Sequence, residues 1–152
     1  MRTITEALQS IAITFWVGGL WVLGLIVAPA LFHTLSDRSQ AGLLASHFFT
    51  VLGYIGLGCG VYLLLFRLAR FGTEVFGQLF FWAVLLTTAL AAAGQFGIQP
   101  LMASLKQQAL PTEVMQSIFR DRFAAWHGVS SVLYLIQCFL GLVMVLQHGR
   151  GR

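Results

Sequence analysis

Of the 152 residues in this chain, 58% are hydrophobic and only 9% are charged, whereas about a quarter of the residues in a soluble domain carry a charge. The net charge of +4 comes from residues near the ends of apolar segments. This placement favours contact with anionic lipid headgroups and argues against nucleic acid as a partner.

Four stretches of the chain contain no Asp, Glu, Lys or Arg. They run from Ala7 to Ser36, from Ser39 to Phe66, from Val75 to Leu105 and from Phe123 to Gln147. Each is longer than the roughly 20 residues that a helix needs to cross a bilayer. The sequence therefore predicts an all-α membrane protein with one domain, residues 1–152. The domain is a bundle of four transmembrane helices, with a short amphipathic segment between helices three and four.

Arginine placement predicts the orientation of the bundle. With four crossings, both termini and the connection at 67–74 share one side, which carries five basic residues against four on the other side. Arg67 and Arg70 lie in a short connection, and Arg150 and Arg152 follow the last helix. Basic residues in such positions favour the cytoplasmic side, so we expect both termini in the cytoplasm.

The connections and the prolines predict where helices begin or are interrupted. Ser36 or Asp37 is expected to cap the second helix. Pro100 should interrupt the hydrogen bonding of the third helix around Phe96, because proline has no amide hydrogen to donate. After Pro111, the sequence indicates a helix start and an amphipathic stretch that could lie on the membrane surface.

Polar side chains within the apolar segments indicate a candidate pocket. On the third helix Gln95 and Gln99 lie near one face, and on the fourth His127, Ser131 and Tyr134 do the same, with Ser130 beside them. These residues belong mostly to the half of the bundle away from the termini. Such residues often only hold helices together, but their convergence predicts a ligand site formed by His127, Gln95, Gln99, Ser130, Ser131 and Tyr134.

A metal ion is one alternative ligand for this region. His127, His47 and Met102 could bind copper, since imidazole and thioether groups suit that metal. No paired spacing such as HxxxH or HxH supports the site. Cys59 and Cys138 lie inside apolar segments without CxxC spacing, which indicates core thiols.

Glycines mark the surfaces where helices are expected to approach closely. Gly53, Gly56 and Gly60 form a stripe on the second segment, and the last two make a GxxxG pair. We expect this stripe to pack inside the bundle, and a homodimer interface is the alternative.

Four motifs resemble a known family: Phe15 to Trp21 (FWVGGLW), Ala28 to Phe32 (APALF), Phe96 to Met102 (FGIQPLM) and Trp126 to Ser131 (WHGVSS). They are similar to bacterial four-helix proteins that form a domain of unknown function and are related to the eukaryotic transmembrane protein 205. The resemblance implies a four-helix protein of the bacterial inner membrane, and it does not supply a reaction.

A more distant similarity concerns the first helix. Trp16, Gly18, Gly19, Leu20, Leu31, Phe32 and His33 resemble the pattern of copper-resistance-D-type proteins and of haem-binding protoporphyrinogen oxidases. In the haem-binding oxidases a histidine precedes the tryptophan by about two turns, and Gln9 stands at that place here. Glutamine is not a usual haem ligand, which argues against a bis-histidine haem and leaves copper as the better cofactor.

Two classes of function follow from these observations. The first is binding or transport of a small ligand or metal ion through the polar pocket. The second is an accessory or assembly subunit of a larger membrane complex, in which the polar residues only fix the bundle. A redox protein or enzyme comes third, because no carboxylate lies within any segment and no pair of nucleophile and base is evident, so no catalytic residue is predicted.

Overall fold

The computed structural model of the protein describes residues 2–148, with side chains from Ile4 onward. This part of the chain contains helices, turns and no strand. In chain order the elements are α1 (Arg2–Val22), a π-helical turn (Leu23–Val27), α2 (Ala28–Thr34), α3 (Arg38–Phe71), a 3-10 helix (Gly72–Gly77), α4 (Leu79–Ala93), a second π-helical turn (Gly94–Ile98), α5 (Gln99–Ala109), a 3-10 turn (Val114–Gln116) and α6 (Arg120–His148).

These elements form four crossings that are long and apolar enough to span a membrane. They cover Ile4–Thr34, Arg38–Gly77, Leu79–Ala109 and Arg120–His148. The predicted class is confirmed, and the chain is that of a multi-pass membrane protein. We call the end of the bundle where α1 begins and α6 ends the terminal end, and the opposite end the far end.

Each crossing packs against the next one in the chain, and the fourth also packs against the first, which closes the ring. The main core lies in the terminal half and consists of Ile13, Trp16, Val17, Leu20, Leu63, Phe80, Ala83, Val84 and Met144. Many large apolar side chains point outward instead, among them Phe15 at 66% exposed and Phe139 at 65%. An outward apolar surface is expected where lipid, not water, surrounds the helices.

Two glycines of α3 allow close contact between crossings. A Cβ atom at Gly56 would overlap the indole nitrogen of Trp16 on α1, and one at Gly60 would overlap the hydroxyl oxygen of Thr88 on α4. Gly58, between them, has nothing within 4 Å. The predicted role of Gly56 and Gly60 inside the bundle is therefore confirmed.

The connections are short. The Asp37 carboxylate caps α3 by accepting from the amides of Ser39 at 2.8 Å and Gln40 at 3.4 Å. The helix start expected after Pro111 is only the 3-10 turn at Val114–Gln116, and α6 begins at Arg120. Gly72 ends α3 with a φ of +53°, which glycine adopts without strain.

Candidate functional site

Two crossings contain a π-helical turn at similar places. The amide of Ala28 bonds to the carbonyl of Leu23, and the amide of Gln99 bonds to that of Gly94, so each skips one residue relative to an α-helix. Each turn contains a glycine and ends two residues before a proline, Pro29 or Pro100. Proline lacks an amide and its ring needs space, so an extra residue in the preceding turn relieves the clash.

The interruption expected before Pro100 is thus confirmed, and α-helical bonding resumes at Gln99 and continues to Ala109. The matching turn before Pro29 was not expected from the sequence. The sequence feature that could have indicated it is Gly24, which lies five residues before Pro29 in an apolar segment. Turns of this kind are frequent at functional sites.

Gln95 lies inside the second π-helical turn, on the side that faces α3. Its side chain is only 8% exposed. The amide oxygen lies over Gly53 of α3, where an added Cβ would be 2.5 Å from it. None of the side-chain hydrogen bonds within residues 2–148 involves Gln95. The fold therefore brings an unpartnered amide against the backbone of a neighbouring helix.

Tyr134 of α6 lies beside the first π-helical turn. Its hydroxyl donates to the carbonyl of Leu20, and its ring packs on Gly24 and, edge-on, on Phe49 at 5.1 Å between ring centroids. A side chain in this position joins the fourth crossing to the first. It uses the hydroxyl as a donor to Leu20, and the backbone of Gly24 also bonds to the hydroxyl oxygen.

The register of α4 and α6 shows that Gln95 and Tyr134 lie at about the same depth. The rings of Phe80 and His148 are 6.0 Å apart at the terminal end. Gln95 comes 15 residues after Phe80, and Tyr134 comes 14 residues before His148, so the rise of an antiparallel helix pair brings them level. Gln137, 8% exposed, lies about one turn nearer the terminal end. We name Gln95, Tyr134 and Gln137 the middle polar layer.

Gln137 is not among the site residues predicted from the sequence, because helical spacing from His127 indicates a different inward face for α6. The buried or half-buried line is Ser130, Tyr134, Gln137, Gly141, Met144 and His148. An amide within a segment without charges was the available signal. Gln137 makes no side-chain hydrogen bond within residues 2–148, so it resembles Gln95 in this respect.

The remaining residues of the predicted pocket lie nearer the far end. Gln99 faces α3, where the hydroxyl of Ser46 donates to its amide oxygen at 3.4 Å. His127 is exposed and stacks on Phe123 with 6.2 Å between centroids and 8° between planes. The hydroxyl of the exposed Ser131 donates to the carbonyl of His127 at 2.9 Å. Ser130 is half-buried.

The fold joins these residues in two groups, not in one. Gln99 is hydrogen-bonded to Ser46 of α3. His127 instead stacks on Phe123, and the ring of Phe123 also lies 5.6 Å from the ammonium group of Lys106. No hydrogen bond or ring contact within the described chain links His127 to Gln95 or Gln99. The approach of these three residues to one another stays a prediction.

The predicted metal ligands are spread over three crossings. His47 is exposed with its ring 6.3 Å from that of Phe48, and Met102 is half-buried on α5. Across residues 2–148 no group of three or more His, Cys, Asp or Glu could hold a metal ion. Cys59 and Cys138 are free thiols and half-buried. A copper site formed by His127, His47 and Met102 therefore stays a prediction.

A family model described as a domain of unknown function (DUF4149) matches residues 11–111. The matched range includes both π-helical turns, Gln95 and Gln99, and it ends before the Trp126 to Ser131 motif of α6. No curated protein and no solved structure matches the chain significantly. Because the match covers more than half of its residues, this chain, with its four membrane-spanning crossings, belongs to the family that shares the DUF4149 domain of unknown function.

Proposed function

We propose that this membrane protein binds a small, uncharged, hydrogen-bonding solute at the middle polar layer. The observation that carries the proposal is the side chain of Gln95, which is only 8% exposed, has its amide oxygen over Gly53 and makes no side-chain hydrogen bond in the described chain. An amide withdrawn from water without a partner costs up to about 1 to 3 kcal/mol, and less where part of it stays accessible. A bound ligand with both a donor and an acceptor would remove that cost.

The chemistry of the layer favours a neutral ligand. Gln95 and Gln137 each offer an amide donor and an amide acceptor, whereas the hydroxyl of Tyr134 is already bonded to Leu20 and Gly24 and holds α6 in place beside them. None of the three carries a formal charge. A metal ion or an organic ion would instead call for charged or imidazole groups at this depth.

We also propose that the solute reaches the middle polar layer from the far end of the bundle. Every residue from Ala124 to Val129 of α6 is exposed, so this stretch makes little contact with the other crossings. The two π-helical turns lie beside the middle polar layer and can absorb a change in helix direction. The far half could therefore open while the core in the terminal half stays packed.

Replacing Gln95 with leucine tests the binding site. We expect wild-type protein, purified in mild detergent, to release a small polar molecule that native mass spectrometry detects. Gln95→Leu should lose this molecule and unfold at the same or a higher temperature than the wild type stripped of the molecule, because it removes an unpartnered amide worth about 1 kcal/mol. Gln107→Leu is the matched control, since it makes the same change at an exposed position of the same crossing, and it should retain the molecule.

Other outcomes of this experiment support the alternatives. If the wild-type protein carries no small molecule and Gln95→Leu is destabilised, the amide is a packing group, and co-purifying chains would then favour an accessory subunit. Copper that is retained by the wild type and lost in His127→Ala, but not in Gln95→Leu, would favour a metal site.

The proposed location is the bacterial inner membrane with the terminal end in the cytoplasm, and cysteine labelling tests it. Ser39 at the far end and Thr73 at the terminal end are both exposed. In intact cells, an impermeant maleimide should label Ser39→Cys, and it should label Thr73→Cys only after permeabilisation. Thr73 is preferable to Gly72, whose positive φ disfavours a side chain. Labelling of Thr73→Cys alone in intact cells would reverse the orientation.

A further inference from the structure

Three buried donor atoms at the terminal end have no partner within residues 2–148. They are the amide nitrogen Nε2 of Gln9, the hydroxyl of Tyr62 and the guanidinium nitrogen Nε of Arg67. Gln9 and Arg67 are each only 4% exposed. All three atoms can donate a hydrogen bond, so each could bind an acceptor that the described chain does not supply.

The helix register brings Gln9 and Tyr62 to one level of the bundle and places Arg67 about one turn nearer the terminal end. Trp16 packs on Gly56, and Leu52 packs on Gly19, which fixes how α1 lies against α3. Gln9 comes seven residues before Trp16, and Leu63 comes seven residues after Gly56, so antiparallel helices place Gln9 level with Leu63. Tyr62 is the neighbour of Leu63, and Arg67 follows one turn later.

Arg67 is a buried cation whose hydrogen-bond and ring partners are neutral, and the charge of its neighbour Arg70 has the same sign. Its Nη1 atom donates to the side-chain oxygen of Gln78 at 2.8 Å. Its guanidinium carbon lies 4.2 Å from the ring centre of Phe80 and 5.3 Å from that of Phe71. The ion pair recorded within residues 2–148 joins Glu6 to Arg70 instead, at 3.6 Å.

Contact with aromatic rings occupies the faces of the Arg67 guanidinium and leaves its edge for other partners. A guanidinium has five N–H donors directed from that edge, in a geometry that suits phosphate and carboxylate oxygens. Burial of a cation without a counter-charge is costly, and an arginine inside a membrane segment is a functional candidate for that reason. An anion would supply both the missing charge and the missing acceptors.

We propose that Arg67, with Gln9 and Tyr62, binds a phosphate group at the terminal end of the bundle. Arg67 lies four residues before the end of α3 at Phe71, about 6 Å along the helix axis, which is a depth that a lipid headgroup phosphate can reach. The same donors suit free inorganic or organic phosphate. The site is separate from the middle polar layer, and either one can fail without the other.

The test compares phosphate binding by Arg67 and Arg70 variants in two settings. In detergent, the unfolding temperature is measured against inorganic phosphate, with chloride at equal ionic strength as the reference. In nanodiscs, it is measured with phosphatidylglycerol and with an uncharged glycolipid, and bound phosphorus is assayed after lipid exchange. Arg70→Gln is the matched control, because Arg70 is an exposed arginine one turn away with its own carboxylate partner.

We expect the wild type and Arg70→Gln to show a saturable rise in unfolding temperature with one of the two phosphate sources. Arg67→Gln should weaken that binding at least about tenfold. A response to inorganic phosphate identifies free phosphate, and a response to phosphatidylglycerol alone identifies a lipid headgroup. If Arg67→Gln does not fold, Gln9→Leu and Tyr62→Phe decide the question, because each removes one donor and keeps the cation.

Two results would overturn the proposal. The first is a wild-type protein that neither source stabilises and that retains no phosphorus, in which case water satisfies the three donors. The second is an equal response from the wild type and from every folded variant of Arg67, Gln9 and Tyr62, which would show that phosphate acts on the surface charge in general.

Discussion

Replacing Trp16 with alanine should lower the free energy of unfolding by about 3 kcal/mol or more. Trp16 is 1% exposed and belongs to the main core, where its indole ring fills the space above Gly56. In lipid the loss comes mainly from missing van der Waals contacts, because lipid tails solvate apolar groups as well as the core does. Unfolding in a titration with SDS, followed by circular dichroism, measures the change.

Phe15 provides the control for this experiment. It is the neighbouring residue and another large aromatic side chain, but it points outward and is 66% exposed. Phe15→Ala should change the free energy of unfolding by less than about 1 kcal/mol. Equal effects at the two positions would mean that α1 does not face the core as described.

Gly60→Ala should destabilise the protein by about 1 to 3 kcal/mol, which is the usual cost of overpacking. The added methyl group would overlap Thr88, whose hydroxyl is already held by a 2.7 Å hydrogen bond to the carbonyl of Val84. A β-branched side chain fixed in this way cannot rotate away easily. The α3 and α4 helices would have to separate, and SDS titration again reports the loss.

Gly58→Ala makes the same substitution two residues earlier on the same helix. A Cβ there meets nothing within 4 Å, and alanine favours a helix over glycine by about 1 kcal/mol. We therefore expect this variant to be as stable as the wild type or more stable. Opposite signs at Gly58 and Gly60 would verify the interface, whereas destabilisation at both would implicate α3 in contacts outside this bundle.

A double variant separates the two glycine contacts of α3. Gly56→Ala alone should be destabilising, because its methyl group would overlap the Trp16 indole. In a Trp16→Ala background the overlap is gone, so the second substitution should cost little. The difference between the two costs is the coupling energy of this contact, and the pair Gly60 and Trp16 is the uncoupled comparison.

The sequence by itself determined the number of crossings, their approximate ends and several local features. A bilayer demands about 20 apolar residues for each crossing and complete hydrogen bonding of the backbone, so uncharged segments report directly on topology. The cap at Asp37 and the interruption before Pro100 follow from local chemistry as well. The use of Gly56 and Gly60 inside the bundle was likewise predictable from their spacing.

Only the tertiary structure decided which face of each helix points inward. A helix in water shows its buried face by a periodic change from apolar to polar residues, but in lipid both faces are apolar and that signal is nearly absent. This is why the face predicted through His127, Ser131 and Tyr134 differs from the one in the fold, which exposes His127 and Ser131 and turns Tyr134 and Gln137 inward. The burial of Arg67 against Phe80 depends in the same way on how α3 and α4 pack, which no local pattern records.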